Sequence, residues 1–205
     1  MRCEVLLFDG FDELDALAPW EVLSSFADLR DDLDAALVTL DGSATVRAAH
    51  GTLVTPHRAL SDEVDLLVVP GGGWNDRSEE GAWAQARLGA LPRAIRERHE
   101  RGAVVASVCT GAMILAAAGL VEGRHAITHH GAIADLEAAG ATVVRARVVD
   151  DGDIVTAGGV TSGLDLALHL TERWFGSDAA LAAEGELEYE RRGTVWRGSS
   201  RLSPA

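Results

Sequence analysis

The chain has 205 residues, 47% of them hydrophobic, which is enough for one large globular domain with a sizeable core. Its net charge of −14 disfavours binding to nucleic acid or to anionic membrane surfaces, because both require clustered Lys and Arg. All 18 basic residues are Arg, so chemistry that needs a lysine amine, such as a Schiff base or a P-loop phosphate contact, is excluded.

The two cysteines, Cys3 and Cys109, show no spacing that implies a disulfide, and this favours a reducing compartment. The apolar run near the N-terminus is too short for a signal peptide, and no stretch reaches the length of a membrane span. No second pair of ligands has zinc-like spacing, so a metal site is not expected. We therefore expect a cytoplasmic protein that uses neither a metal nor another cofactor.

The spacing of apolar residues predicts alternating strands and helices in the first half of the chain. The predicted elements are strands at 5–8, 35–40 and 65–69, a small hairpin that pairs 45–46 with 53–54, and helices at 13–29 and 79–101. Pro19 lies inside the first helix, and Gly89 and Pro92 are points at which the second can divide.

The same alternation continues in the second half. The predicted elements are a strand that stops at Cys109, a helix that begins at the next position and ends at 119–123, strands at 126–127, 142–149 and 154–156, and helices at 132–139 and 164–174. A further helix opens the remainder at 176–205 and gives way to a polar tail. This pattern predicts an α/β domain with a mainly parallel sheet between helical layers. We expect 1–175 to form this domain and 176–205 to belong to it, since no composition shift marks a boundary.

Cys109 stands where an apolar strand ends and a small-residue helix begins. A nucleophile at such a strand-to-helix turn has the geometry of a nucleophile elbow, and the helix N-terminus favours the thiolate. The alternative is a small apolar residue in a buried turn. Glycines 71–73 end the neighbouring strand, so the backbone N–H groups of Gly72, Gly73 and Thr110 are candidates to stabilise negative charge; the run can also be only a turn.

The residue that moves protons for Cys109 has two candidate types. Among the seven histidines, His129 and His130 lie in a loop after a strand and are the natural pocket candidates. The alternative is a carboxylate from the cluster Asp12, Glu13 and Asp15, because burial beside a thiolate would raise its pKa and make it an acid. All three carboxylates can equally serve only to cap a helix.

Five segments resemble the PfpI-like family of the class I glutamine amidotransferase-like superfamily. In chain order they are 8–19 (FDGFDELDALAP), 69–72 (VPGG), 107–111 (SVCTG), 126–130 (AITHH) and 156–163 (TAGGVTSG). The first and third are most similar to the isonitrile hydratase branch. The resemblance implies a flavodoxin-like three-layer α/β/α sandwich, a homodimer, Cys109 as nucleophile and Asp15 as acid/base. Thr110 stands where peptidase-like members place a His, which argues against peptidase activity.

Three functions follow as hypotheses. The first is a hydro-lyase that adds water to an isonitrile through a Cys109 thioimidate and releases an N-substituted formamide. The second is detoxification of small reactive aldehydes, which the resemblance also implies. The third is a ligand or redox sensor without enzymatic activity, since a similar domain forms the sensor half of certain transcription activators. All three involve a small molecule as the ligand, and none involves nucleic acid or a membrane.

Overall fold

The computed structural model describes residues 1–27, 32–42 and 45–198. Its strands are β1 (Arg2–Leu6), β2 (Asp34–Thr39), β3 (Val46–Arg47), β4 (Leu53–Val54), β5 (Arg58–Ala59), β6 (Leu66–Val69), β7 (Val104–Val108), β8 (His125–Ala126), β9 (Thr142–Val143), β10 (Val148–Asp150), β11 (Ile154–Ala157) and β12 (Val195–Arg197). Its α-helices are α1 (Glu13–Ala27), α2 (Ala82–Leu88), α3 (Ala90–Glu100), α4 (Gly111–Ala117), α5 (Ile133–Ala138), α6 (Ser162–Phe175) and α7 (Ser177–Glu186).

Eight strands form the main sheet in the order β5-β2-β1-β6-β7-β11-β10-β12. The first six run parallel, β10 is antiparallel to β11, and β12 is parallel to β10. The central strands are apolar at nearly every position because both faces of the sheet are covered, as parallel sheets require. The predicted hairpin is present as the antiparallel pair β3–β4.

Helices α1, α6 and α7 pack together as one layer, and α2, α3, α4 and α5 pack together as the other. The sheet lies between these layers, so the predicted flavodoxin-like α/β/α sandwich with a mainly parallel sheet is confirmed. The carboxyl ends of β1, β6, β7 and β11 meet at one edge of the sheet, where ligand sites of such folds are found. None of the described helices has both the length and the hydropathy to cross a membrane.

The elements differ from the predicted ones at several places, among them β5, which the sequence did not predict, and β1, which lies at Arg2–Leu6 and not at 5–8. Gly89 adopts φ 77° and ends α2, so the long helix predicted at 79–101 is two helices. The strand predicted at 142–149 is divided into β9, in a separate two-stranded sheet, and β10. The polar tail contains β12, which the sequence did not predict. The predicted end of the first helix, at 28–29, lies outside the described residues.

The C-terminal segment contacts the rest of the fold at several points. Helix α7 packs against α6 and α1. Beyond it, the Tyr189 hydroxyl and the Arg192 N–H donate to the buried carboxylate of Asp165, at 3.2 and 2.6 Å. Strand β12 then extends the main sheet at β10.

Cys3 lies on β1 between two neighbouring strands of the sheet. Its side chain is 1% exposed, and burial raises the pKa of its thiol to about 12. Cys109 lines a cavity, whereas Cys3 is buried within the sheet where reagents cannot reach it, so Cys3 is inert in the folded chain.

Candidate active site

Cys109 lies between β7 and α4 with φ 56°, in the left-handed region that residues with a side chain seldom adopt. Its N–H donates to the Gly158 carbonyl at 2.8 Å, and its own carbonyl accepts the hydroxyl of Thr128 at 2.9 Å. These bonds hold a strained backbone in place, which is typical of functional positions. The predicted strand-to-helix turn is therefore present at this cysteine.

Two glycines allow the N-terminus of α4 to approach the end of β6. A Cβ on Gly111 would lie 2.1 Å from the Val69 carbonyl oxygen, and one on Gly71 would lie 2.5 Å from the Thr110 nitrogen. No larger residue fits at either position without backbone movement. The close approach brings the Gly71–Gly73 turn against the residue that follows Cys109.

Asp15 lies on α1 with no exposed surface. Its Oδ2 accepts the Gly71 N–H at 3.0 Å, whereas its Oδ1 accepts no hydrogen bond from a nitrogen or oxygen of the described residues. Burial raises the pKa of this carboxyl to about 8, with a smaller contribution from the Asp12 carboxylate, and the bonds from Gly71 and Cys109 act in the opposite direction. Asp15 is therefore predominantly a neutral acid at pH 7, in contact with the Cys109 thiol.

Burial also raises the pKa of the Cys109 thiol, to about 12, and the charge of Asp15 is the second cause. The N–H groups of Val160 and Thr110 donate toward the sulfur and lower the pKa. Burial and the charge of Asp15 thus outweigh the expected lowering of the Cys109 pKa by the helix N-terminus. Since Asp15 repels the thiolate only when it is itself ionised, the two groups titrate as a coupled pair.

The backbone at Val160 is strained so that its N–H reaches Cys109. Val160 adopts φ 36°, which is unfavourable for a β-branched residue. Its N–H is one of the two backbone donors to the sulfur, and its side chain lines the same cavity as Cys109. The two glycines before it, Gly158 and Gly159, allow the chain to adopt this turn. A Cβ on Gly159 would lie 2.9 Å from the ring of His129.

The glycine turn provides one available N–H group. The Gly72 N–H donates to Thr110 Oγ1 at 2.9 Å, so it is already engaged. For the Gly73 N–H, the described residues provide no acceptor, and Gly73 lines the cavity together with Cys109. Of the two glycines expected to donate, Gly73 has the free donor, while Gly72 orients Thr110.

His129 lines the cavity, and its Nδ1 accepts from the Gly131 N–H at 3.1 Å and from Asn75 Nδ2 at 3.3 Å. Because Nδ1 accepts both bonds, the ring proton is on Nε2. Burial lowers the pKa of this imidazole, as does the adjacent His130, whose ring centroid is 4.0 Å away. His129 is thus a neutral hydrogen-bond donor, whose Nδ1 is not free to accept the proton of Cys109.

Most of the remaining histidines form polar contacts elsewhere. His130 lines a neighbouring cavity, not the one at Cys109. His50 bonds to Glu13 at 2.7 Å, His99 to Asp153 at 2.9 Å, and the buried His169 to Asp150 at 2.7 Å. Of the two proton-transfer partners that the sequence allowed, the geometry brings the carboxyl of Asp15 to the thiol.

The cavity above Cys109 has a volume of about 270 Å³. Its lining comprises Asp12, Gly72, Gly73, Trp74, Asn75, Asp76, Cys109, Thr110, His129 and Val160. A second cavity of about 500 Å³ adjoins it and shares His129 and Val160. A larger one, about 790 Å³, lies at the opposite edge of the sheet and contains no Cys, His, Ser or Thr among its lining residues. No cluster of three or more metal-ligating side chains occurs among the described residues.

The loop that walls the cavity is fastened to α5. Trp74 donates its indole N–H to Asp135 at 2.7 Å and packs edge-on against Trp83, with ring centroids 5.1 Å apart. The guanidinium of Arg77 lies 3.9 Å from the Trp83 ring centroid and 3.5 Å from Asp135. These contacts hold the loop that walls the cavity against α5 and α2.

Among the residues of this site that sequence reasoning did not identify, Val160, Thr128 and Asn75 contact the predicted ones. The first two lie in motifs that carried the family resemblance, but nothing local showed that a valine amide would face the sulfur or that a threonine hydroxyl would hold the Cys109 carbonyl. Asn75 follows the glycine turn, and its contact with His129 spans 54 residues of sequence. No signal along the chain could have indicated it.

Comparison with known proteins agrees with this geometry. Isonitrile hydratase of Pseudomonas putida is 34% identical over 203 residues, covering 98% of this chain and 83% of that protein. A deglycase of Pyrococcus abyssi is 30% identical over 162 residues, covering 77% of this chain and 89% of that protein. The crystal structure of a ThiJ/PfpI family protein from Pseudomonas syringae superposes with a TM-score of 0.82 at 26% identity, covering 93% of this chain and 76% of that one.

The family resemblance predicted from five short segments is therefore confirmed over almost the whole chain. The model of the DJ-1/PfpI family matches residues 1–173, which include every residue that lines the cavity at Cys109. With its parallel sheet, its strained cysteine turn and these relatives, the chain belongs to the DJ-1/PfpI family.

Proposed function

We propose that the protein is a cysteine-dependent hydro-lyase that converts an isonitrile and water into an N-substituted formamide. The observation that carries the proposal is the buried pair of Cys109 and Asp15, in which a neutral carboxyl lies against the thiol beneath a small cavity. The similarity to isonitrile hydratase over 98% of the chain supports the same reaction.

In the first step the Cys109 sulfur attacks the terminal carbon of R–N≡C, which forms a C–S bond. The same carbon receives a proton from the Asp15 carboxyl, which takes up the thiol proton in exchange, so that the product is the thioimidate R–N=CH–S–Cys109. Asp15 suits this transfer because burial raises the pKa of its carboxyl to about 8, close to the working pH of an acid catalyst.

In the second step water adds across the C=N bond of the thioimidate. The nitrogen takes one proton, the carbon takes the hydroxyl, and the C–S bond then breaks to release R–NH–CHO and the thiol. The neutral His129 is suited to donate its Nε2–H to the substrate nitrogen, and the free Gly73 N–H to the developing oxygen. Both donors are side by side with Cys109 along the cavity.

The reaction can be tested with cyclohexyl isonitrile and detection of its formamide by mass spectrometry. We expect turnover by the wild type, a loss of at least about 10³-fold in Cys109→Ala, and a loss of about 10²-fold or more in Asp15→Asn. Cys3→Ala is the matched control, since Cys3 is buried far from the cavity and should retain activity. Absence of turnover over a panel of alkyl and aryl isonitriles would overturn the proposal.

A second candidate is the removal of reactive aldehydes, which the similarity to a deglycase supports. The same thiol would add to the carbonyl carbon of methylglyoxal, and lactate would be the expected product. Formation of lactate that depends on Cys109, without formamide from isonitriles, would favour this function. A redox-sensing role would use the same thiol, and peroxide treatment followed by mass spectrometry would test it.

A further inference from the structure

The carboxylates that line the cavity at Cys109 give it a negative charge. Its lining includes two carboxylates, Asp12 and Asp76, and no Arg. Asp12 caps α1 by accepting the Leu14 N–H at 3.2 Å, and Asp76 is exposed at the loop. Neither carboxylate forms an ion pair within the described residues. Both charges are therefore available to any molecule that enters.

The Asp12 carboxylate already acts on the residues inside the site. It raises the pKa values of Asp15, Cys109 and His129, three groups on different elements. An electrophile held at the sulfur would lie among these same groups. It would consequently experience the same negative potential, in a region where the protein walls reduce screening by water.

Among the described residues, no guanidinium pairs with either carboxylate. Arg77 follows Asp76 in sequence, but it contacts Trp83 and Asp135 and does not line the cavity. Arg145 and Arg147 line the second cavity, on the other side of His129, and Arg147 is paired with Asp165 at 2.5 Å. The net charge of −14 on the whole chain acts in the same direction.

We propose that the Cys109 cavity selects uncharged or cationic electrophiles and rejects anionic ones, with Asp12 and Asp76 as the specificity-determining residues. Applied to isonitriles, this inference rests on the proposed function and narrows its substrates to neutral and cationic R–N≡C. For the reaction of the Cys109 thiol with other electrophiles, the same charge selectivity is expected whether or not isonitriles are turned over.

The first experiment measures charge selectivity without catalysis. Cys109 is modified with two methanethiosulfonates of similar size, one bearing a trimethylammonium group and one a sulfonate, and each rate is divided by its rate with 2-mercaptoethanol. Intact-mass and peptide mass spectrometry assign the adduct, and Cys109→Ala supplies the blank. We expect the cationic reagent to react at least about tenfold faster than the anionic one after this normalisation.

Two variants assign the selectivity to its residues. Asp12→Asn retains a side chain that caps helices well, and Asp76→Asn is isosteric. Each should reduce the cation-to-anion rate ratio about threefold or more. The ratio cancels any change in thiolate fraction, which alters both rates equally. Glu63→Gln removes one charge at the opposite edge of the sheet and should leave the ratio unchanged.

The second experiment compares methyl isocyanoacetate with isocyanoacetate, which differ in charge at nearly the same size. Preference for the ester of at least about tenfold in kcat/KM, reduced in Asp12→Asn, would support the inference. A normalised reagent ratio near one, or a ratio that neither variant changes, would overturn it. If the reagent ratio is as expected while no isonitrile turns over, the proposed function fails and the charge selectivity stands.

Discussion

At the scale of single residues, the buried carboxyl of Asp15 is proposed to act in catalysis, and its ionisation lowers the stability of the folded protein. Its charged form is disfavoured by burial and by the neighbouring Asp12, so folding at neutral pH requires the uptake of a proton. An unfolded Asp ionises near its ordinary pKa, whereas the folded one ionises near 8. The folded state thus binds more protons between these values, and this contribution to stability declines as pH rises from about 4 to about 8.

We therefore expect Asp15→Asn to stabilise the protein at pH 8, by about 6 kcal/mol at most. At pH 3, below the ordinary pKa of Asp, the carboxyl is mostly protonated in both states and the effect should be small. Urea unfolding of wild type and variant at the two pH values measures the difference. A variant that is equally or less stable than wild type at pH 8 would contradict this assignment of the pKa.

His129 provides a second prediction at this scale. Asn75→Asp would place an anionic acceptor beside Nδ1 where a donor stands now, and this should raise the pKa of the imidazole and allow Nδ1 to bind a proton. Titration of the ring by NMR should show a neutral Nε2–H form in the wild type below pH 6.5 and a cation near neutral pH in the variant. Asn75→Ser is the matched control, since it introduces no charge. Equal titration curves would mean that Asn75 does not determine the tautomer.

At the scale of elements, the junction of β6 and α4 depends on the absence of a side chain at Gly111. In Gly111→Ala the new Cβ would lie 2.1 Å from the Val69 carbonyl oxygen, so α4 must move and displace Cys109. We expect a loss of about 1–3 kcal/mol of stability and a larger loss of activity. Gly185→Ala is the control, because nothing lies within 4 Å of its Cβ position and Ala favours helix. Similar stabilities of the two variants would contradict the packing argument.

The elements that sequence alone predicted are those in which local pattern and burial agree. The continuous apolar runs of β6 and β7 predict buried parallel strands, and glycines mark their ends. The strand β12 was missed because Val195 and Arg197 carry no apolar run, and its pairing with β10 crosses some 45 residues of chain. Cys109 could be identified from the junction of strand and helix, whereas the partnership with Asp15 required the family resemblance, since local pattern allowed a capping role equally well.

At the scale of the whole molecule, the C-terminal segment is expected to belong to the same domain as 1–175. Removal of 176–205 would expose the faces of α6 and α1 that α7 covers, leave Asp165 without Tyr189 and Arg192, and open the edge of β10. We expect the truncated chain to lose cooperative folding or to melt at least about 10 °C lower. Tyr189→Phe, which removes one hydroxyl, is the mild control. A truncated chain with an unchanged Tm would place the boundary of the domain at 175.

The homodimer that the family resemblance implies remains a prediction for this chain. Sedimentation velocity at micromolar concentration should give a single species of twice the chain mass. Ten residues of a single chain line the Cys109 cavity, and we expect dilution to monomers to leave modification of Cys109 unaffected.

Because Cys3 is inert in the folded chain, the number of thiols that react with a reagent reports the number of accessible Cys109 sites. With one thiol 1% exposed and deeply buried in the sheet, a charge-neutral alkylating reagent should bind once per folded chain. The fraction of chains with a single adduct then reports how much of a preparation is competent, independently of any substrate. A second adduct per chain would in turn signal that β1 has opened, so the same measurement monitors the integrity of the sheet.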